Sequence, residues 1–286
     1  MSGEVARARV GIFPLHFRRS FSLHRMGPYD RTVYLSDDCF RKAFFFDGVA
    51  ATVEVCRDGD ALQVSVFGER PEALLTEVLR GFSQSDLYAE FATEDSGILR
   101  LHRRLTGLRI LRVPWLYDTT CGLILQQRIR SVDAFRDWRR LTQRYVSDAP
   151  LGLRVFPAAE VLARVPLHEL EGMGIDQQRG RTLLRFANEM RFVRFDTGMS
   201  FADLRRCLGG VAGIGGWTVE SVMGLSGGDV DAVIPGDLHL PRAVCYALAG
   251  EMQWSDERML ELLEPFRGHR YLVIRLLYAS GLDVPW

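Results

Sequence analysis

LGGVAGIGGWTVESVMGL (residues 208–225), followed by SGGDVDAVIPGDLHLPR (226–242), decides how the rest of the chain is read. Glycine tolerates positive φ and leaves its backbone N–H uncovered. Gly213-Ile214-Gly215, opening a run of helical character from Trp217 to Leu225, is therefore a nest for an anion, a phosphate foremost. Twenty residues beyond Trp217, Ile234-Pro235-Gly236-Asp237 delivers a single carboxylate at the start of another expected helix. A phosphate grip at one end and an acid at the other suggest DNA held by its backbone while a carboxylate acts on it.

Outward from this stretch, the chain is ordinary in bulk. Its 286 residues, 47% hydrophobic and 25% charged, can build one large or two modest cores. The formal net charge is zero and the pI about 7.0, so any attraction for nucleic acid must be local. Lys42 is the sole lysine among 36 basic residues, which leaves 36 − 1 = 35 arginines. Cys39, Cys56, Cys121, Cys207 and Cys245 show no C-x-x-C spacing. They read as reduced thiols of a cytoplasmic protein, with neither a zinc site nor a disulfide framework expected. No N-terminal apolar segment suggests export, and no run of about 18 apolar residues suggests a membrane span.

The stretch 208–242 resembles the helix-hairpin-helix DNA glycosylase superfamily. Trp217, standing where some branches carry lysine, brings it nearest the 3-methyladenine DNA glycosylase II (AlkA-type) branch. The likeness runs from about Thr93 to Tyr278 and is loose before that. It implies that Gly213, Ile214, Gly215 and Thr218 bind a DNA phosphate, that Asp237 is the catalytic carboxylate, and that Trp217 and Phe266 wall a base pocket. It also implies a monovalent cation on the backbone carbonyls of Gly209, Val211 and Ile214. No other cofactor is expected. The four clustered C-terminal cysteines of iron–sulfur relatives have no counterpart after Cys245.

In this superfamily an I-L-x-Q-Q run ends a helix and presents the side chain that enters the duplex where the damaged nucleotide has left. Here Leu123-Ile124-Leu125-Gln126-Gln127 makes Gln127 the wedge, with Arg128 beside it, although Arg128-Ile129-Arg130 replaces the usual Val-Ser. Gln126 and Gln127 simply ending a solvated helix is the rival reading. Leu170-Glu-Gly-Met-Gly174 resembles a degenerate copy of the hairpin. Arg179, Arg181 and Arg185 after it could be a DNA track or a solvated helix face. Asp229 and Asp231 read as solvated turn residues, and His239 and His269 receive no catalytic role.

The expected fold class is α+β. An N-terminal antiparallel sheet domain with a helix (1–92) precedes a mainly α helix-hairpin-helix glycosylase region (93–286) of two helical subdomains, with the hairpin at about 208–225. Strands are expected over 32–35, 42–46, 50–56 and 62–67, with a turn at Arg57–Asp60 and a helix after Pro71.

Cleaving an N-glycosidic bond builds positive charge on the sugar, so a carboxylate is worth most in the transition state. Asp237 suits that role. It equally suits an N-cap, and the two are compatible because a helix N-terminus favours a carboxylate. Strand-nicking glycosylases attack the sugar with lysine. With Trp217 after the hairpin, the expected enzyme is monofunctional and excises alkylated purines such as 3-methyladenine and 7-methylguanine from double-stranded DNA. The electron-rich rings of Trp217 and Phe266 would attract such cationic bases, or either ring could simply pack in the core. Ser221 stands where relatives often have another aromatic, which leaves the lesion range open. A glycosylase for deaminated bases, or a non-catalytic damaged-DNA-binding protein, is the alternative. A monomer in the bacterial nucleoid is expected.

Overall fold

A computed structural model describes residues 4–11, 15–83 and 91–281. The N-terminal part is a five-stranded antiparallel sheet in the order β1-β5-β4-β3-β2, formed by β1 (Glu4–Val10), β2 (Val33–Leu35), β3 (Cys39–Phe46), β4 (Val49–Asp58) and β5 (Ala61–Gly68). Four strands fall where the β-branched and aromatic runs predict. The fifth, β1, was not expected: its VARARV pattern places small Ala6 rather than a large apolar residue against the core. The turn expected at Arg57–Asp60 joins β4 to β5. A second tight turn joins β3 to β4 at Asp47 and Gly48, with φ of 50° and 79°. That pair of left-handed residues is the Asp-Gly signature of a two-residue hairpin.

Register explains a correction to the cysteine reading. Cys39 lies directly opposite Cys56 in the β3–β4 ladder, and the two form a disulfide across 17 residues of sequence. The seventeen-residue spacing carries no motif, so only strand pairing reveals the partnership.

Helix α1 (Phe17–Phe21) runs into a 3-10 turn at Ser22–His24. The longer α2 (Pro71–Ser83) packs Leu74, Leu75, Val78 and Phe82 under the sheet. From α3 (Ser96–Arg104) onward the chain is helical: α4 (Leu116–Gln126), α5 (Ser131–Arg144), α6 (Ala159–Leu162), α7 (Leu167–Gly172), α8 (Gln177–Met190), α9 (Phe201–Gly209), α10 (Gly216–Leu225), α11 (Leu240–Ala249), α12 (Asp256–Leu263) and α13 (Arg270–Ala279). No described helix is long and apolar enough to cross a membrane.

The helices enclose their own core, and the sheet has another, which Leu111, Val113 and Trp115 enter from the connecting segment. Between the two sits Lys42, fully buried, its Nζ 2.7 Å from Asp118 on α4 and 2.8 Å from the Thr32 hydroxyl. A buried ion is tolerable only when paired and hydrogen-bonded. Lys42 is both, which fixes how the sheet meets α4.

Candidate catalytic and DNA-facing site

The hairpin joins α9 to α10. Ser200 caps α9 by accepting from the Asp203 N–H at 3.1 Å, and Leu204, Leu208, Val211 and Ile214 are buried to anchor the turn. Gly213 has φ of +100°, and a Cβ there would come within 2.2 Å of Thr182 Oγ1 on α8, so only glycine fits. Gly215 and Gly216 differ. Both are exposed, with nothing within 4 Å of the position a Cβ would take. A helix leaves its first N–H groups without intrahelical acceptors, and the two residues at the start of α10 are exposed. Such an N-terminus carries partial positive charge.

The related turn at α7–α8 is built differently. Gly174, at φ of +89°, matches Gly213, but Asp176 occupies the helix N-terminus that follows. Its carboxylate accepts from Gln178 N–H at 3.0 Å and Arg179 N–H at 3.1 Å. The chain has capped that helix with its own anion.

Gln127 lies against the hairpin, with Arg128 next to it in the loop between α4 and α5. The Gln127 amide donates to Gly213 O at 3.1 Å and to Thr218 Oγ1 at 3.0 Å. Thr218 is buried with its hydroxyl accepting from Gln127, and Gln127 clasps the hairpin. Arg128 and Arg130 are both exposed in this loop, and Arg130 pairs with Asp133. Arg128 has φ of 59°, strained for a residue with a β-carbon, and its guanidinium reaches Gln178 Oε1 at 3.2 Å. Arg179, read as one of three arginines on a DNA track, is instead buried. It donates to Leu125 O at 2.8 Å and pairs with Asp137 at 2.9 Å, which holds the end of α4 in place. Arg181 and Arg185 are exposed on the same helix.

Asp237 follows Gly236, whose φ of +79° turns the chain and whose N–H donates to Asp256 at the start of α12. One carboxylate oxygen, Oδ1, accepts from the backbone N–H of His239 and of Leu240, both at 2.9 Å, capping α11. The other, Oδ2, accepts from Trp217 Nε1 at 2.9 Å. Both expected roles of the residue are therefore compatible in one geometry. Trp217 is in the first turn of α10, so the acid and the open helix N-terminus share one edge of the protein. Nearby, the half-exposed Tyr278 of α13 has its phenol pushed up to about 12 by burial and by the negative charge of Asp237. The sequence reading assigned it no role. Tyr278 and Arg275, one helical turn apart, were the available signal.

Three expectations are corrected. Phe266 is 7% exposed within the helical core, so it does not line an open pocket. Asp229 is buried and pairs with Arg205 at 2.6 Å, while Arg205 also grips Glu220 of α10 through two hydrogen bonds. Asp231 accepts from Gly268 and Arg270 and fixes the start of α13. These two acids are structural clamps whose partners lie far along the chain.

No protein-family model matches the chain, and no curated protein matches it in sequence. Solved structures do match. A 3-methyladenine DNA glycosylase from Archaeoglobus fulgidus superposes with a TM-score of 0.73 at 18% identity, covering 97% of this chain and 99% of that one. An 8-oxoguanine glycosylase/lyase from Clostridium acetobutylicum gives 0.67 at 13%, covering 97% and 98%. The 3-methyladenine DNA glycosylase Mag1 from Schizosaccharomyces pombe, in complex with abasic DNA, gives 0.53 at 19%, covering 68% and 95%. The chain has the fold of the helix-hairpin-helix DNA glycosylases.

Proposed function

We propose that this chain, with the fold of the helix-hairpin-helix DNA glycosylases as its premise, is a monofunctional DNA glycosylase. The observation that carries the proposal is the junction of Asp237 with the open N-terminus of α10 through Trp217. A strand phosphate on the α10 amides would set the sugar of an extruded nucleotide beside Asp237. There the carboxylate stabilises positive charge on the sugar as the C–N bond breaks. The base departs with the bonding electron pair and takes up a proton, while a water oxygen bonds to C1′ and loses its own proton. Arg128 is the wedge candidate. A monovalent cation on the carbonyls of Gly209, Val211 and Ile214 would reinforce the phosphate grip. The Val211 carbonyl already accepts from Ile214 N–H at 3.0 Å, which leaves it one lone pair for an ion.

Hydrolysis rather than strand nicking is supported by the chain's amines. The sole lysine side chain, Lys42, is sealed between Asp118 and Thr32. Among substrates, alkylated purines are supported by the half-buried ring of Trp217 and by the names of two neighbours in fold. The arginines around Tyr278 favour the second reading, a neutral lesion.

The test is single-turnover release of bases from damaged duplexes. Asp237→Asn is expected to abolish release while duplex affinity holds, and borohydride is expected to trap no protein–DNA adduct. Binding without release from any lesion by the parent protein would favour a non-catalytic damage-binding role instead.

A further inference from the structure

Beside Tyr278 lies a cleft of about 470 Å³ between the first helical turns of the sheet domain and α13, lined by Arg18, Arg19, Leu23, Arg25, Arg275 and Tyr278. Its size suits a small flat ligand such as a nucleobase. Its charge is uneven. Arg18 is paired with Asp37, but Arg19, Arg25 and Arg275 pair with no carboxylate among the described residues. Arg275 is the innermost. It is half-buried, one of its Nη atoms donates to the Arg19 carbonyl at 2.9 Å, and burial holds its guanidinium below the ordinary value. A guanidinium has five N–H donors and no acceptor. Arg275 lines the cleft without a counter-charge, so its remaining N–H groups are available to an acceptor from outside the chain.

Resting on the glycosylase reading, we infer that the base admitted to this cleft is a neutral one presenting a carbonyl oxygen gained by oxidation or deamination, with Arg275 donating to that oxygen and Tyr278 stacked on the ring. A cationic alkylated purine is repelled, because it brings a like charge against three guanidinium groups that lack a carboxylate. The same arginines attract carbonyl-rich edges, since a hydrogen bond to a charged donor is stronger than a neutral one. Arg275 is then a specificity-determining residue, separate from the carboxylate that assists bond cleavage.

The experiment uses the full chain and otherwise identical duplexes that each carry one uracil, hypoxanthine, 8-oxoguanine or 7-methylguanine. At least one of the three oxo bases is expected to be released faster than 7-methylguanine. Arg275→Met should slow that release by roughly tenfold to a hundredfold, the worth of a hydrogen bond to a charged group, and Arg275→Lys should recover part of it. A duplex with a tetrahydrofuran abasic analogue should bind all three proteins equally, which also reports that the variants fold. Preferential release of 7-methylguanine overturns the inference. So does a loss of abasic-duplex affinity in Arg275→Met equal to the loss of release, because Arg275 would then be a phosphate contact. Release of no base at all removes the glycosylase reading and this inference with it, whereas faster 7-methylguanine release removes only the inference.

Discussion

Trp217 Nε1 donates to Asp237 Oδ2 at 2.9 Å, tying the first turn of one helix to the acid that caps another. An ionised carboxylate offers about four lone-pair sites. Two backbone N–H groups and this indole occupy three of them, which leaves one to meet a sugar or a water. Trp217→Phe keeps the ring and removes the donor. Single-turnover base release should fall by roughly tenfold or more through loss of orientation, with duplex affinity nearly unchanged. A fall confined to affinity would instead make Trp217 a DNA contact.

The two glycines of the hairpin should respond in opposite ways. Gly213→Ala forces a β-carbon at φ of +100° into Thr182, and should cost about 1–3 kcal/mol of stability in urea titration. Gly215→Ala meets open space at an ordinary φ of −97°. Its unfolding midpoint should hold, while duplex binding weakens and the salt dependence of that binding becomes shallower by about one phosphate.

At the α4–α5 loop, Arg128 occupies a left-handed conformation. Arg128→Gly should therefore raise the unfolding free energy in urea titration by about 1 kcal/mol while slowing release from duplex substrate. Stability and activity moving together would show that the conformation serves only the fold.

Removing one member of the buried Lys42–Asp118 pair leaves an uncompensated charge. Lys42→Met should cost about 3–5 kcal/mol, and adding Asp118→Leu should restore much of it. Denaturant midpoints of the two variants decide the matter; equal midpoints would show that the pair is not coupled.

His24 is buried, and its pKa is lowered to about 3 by desolvation first and then by Lys42 and Arg275. Trp115 Nε1 donates to its Nδ1 at 3.1 Å, as a neutral ring requires. The folded value lies below the unfolded one of about 6.5, so the unfolded chain takes up the proton first. Stability from this group is fully present above about pH 6.5 and is lost toward pH 3, at up to about 1.4 kcal/mol per pH unit. His24→Gln should flatten that part of the profile of urea midpoint against pH; an unchanged slope would assign the acid sensitivity elsewhere.

What the sequence disclosed was whatever is local in origin. Gly213 and Gly215 announce a turn because the backbone there needs them, and alternating Val, Phe and Tyr announce strands. Asp237 was legible from its distance to that turn, because twenty residues of chain suffice to return to it. The illegible parts depend on distant partners. Asp229 and Asp231 looked like turn residues until Arg205 and Arg270 were seen beside them. Cys39 and Cys56 needed a strand register. Phe266 is buried and Tyr278 half-exposed because helix orientation, not composition, chooses the face that is buried. Gln127 was found in the correct neighbourhood, but its hydrogen bonds run inward to the hairpin.

Asp176 gives the duplicated hairpin an asymmetry with a mechanical meaning. Of two turns cut to one plan, one carries its own stopper and the other is left ajar. On the proposed reading, a strand seated on this protein would have a single fulcrum instead of two clamps, and with only one point pinned, the sugar-phosphate chain would retain the freedom to pivot that swinging a nucleotide outward demands.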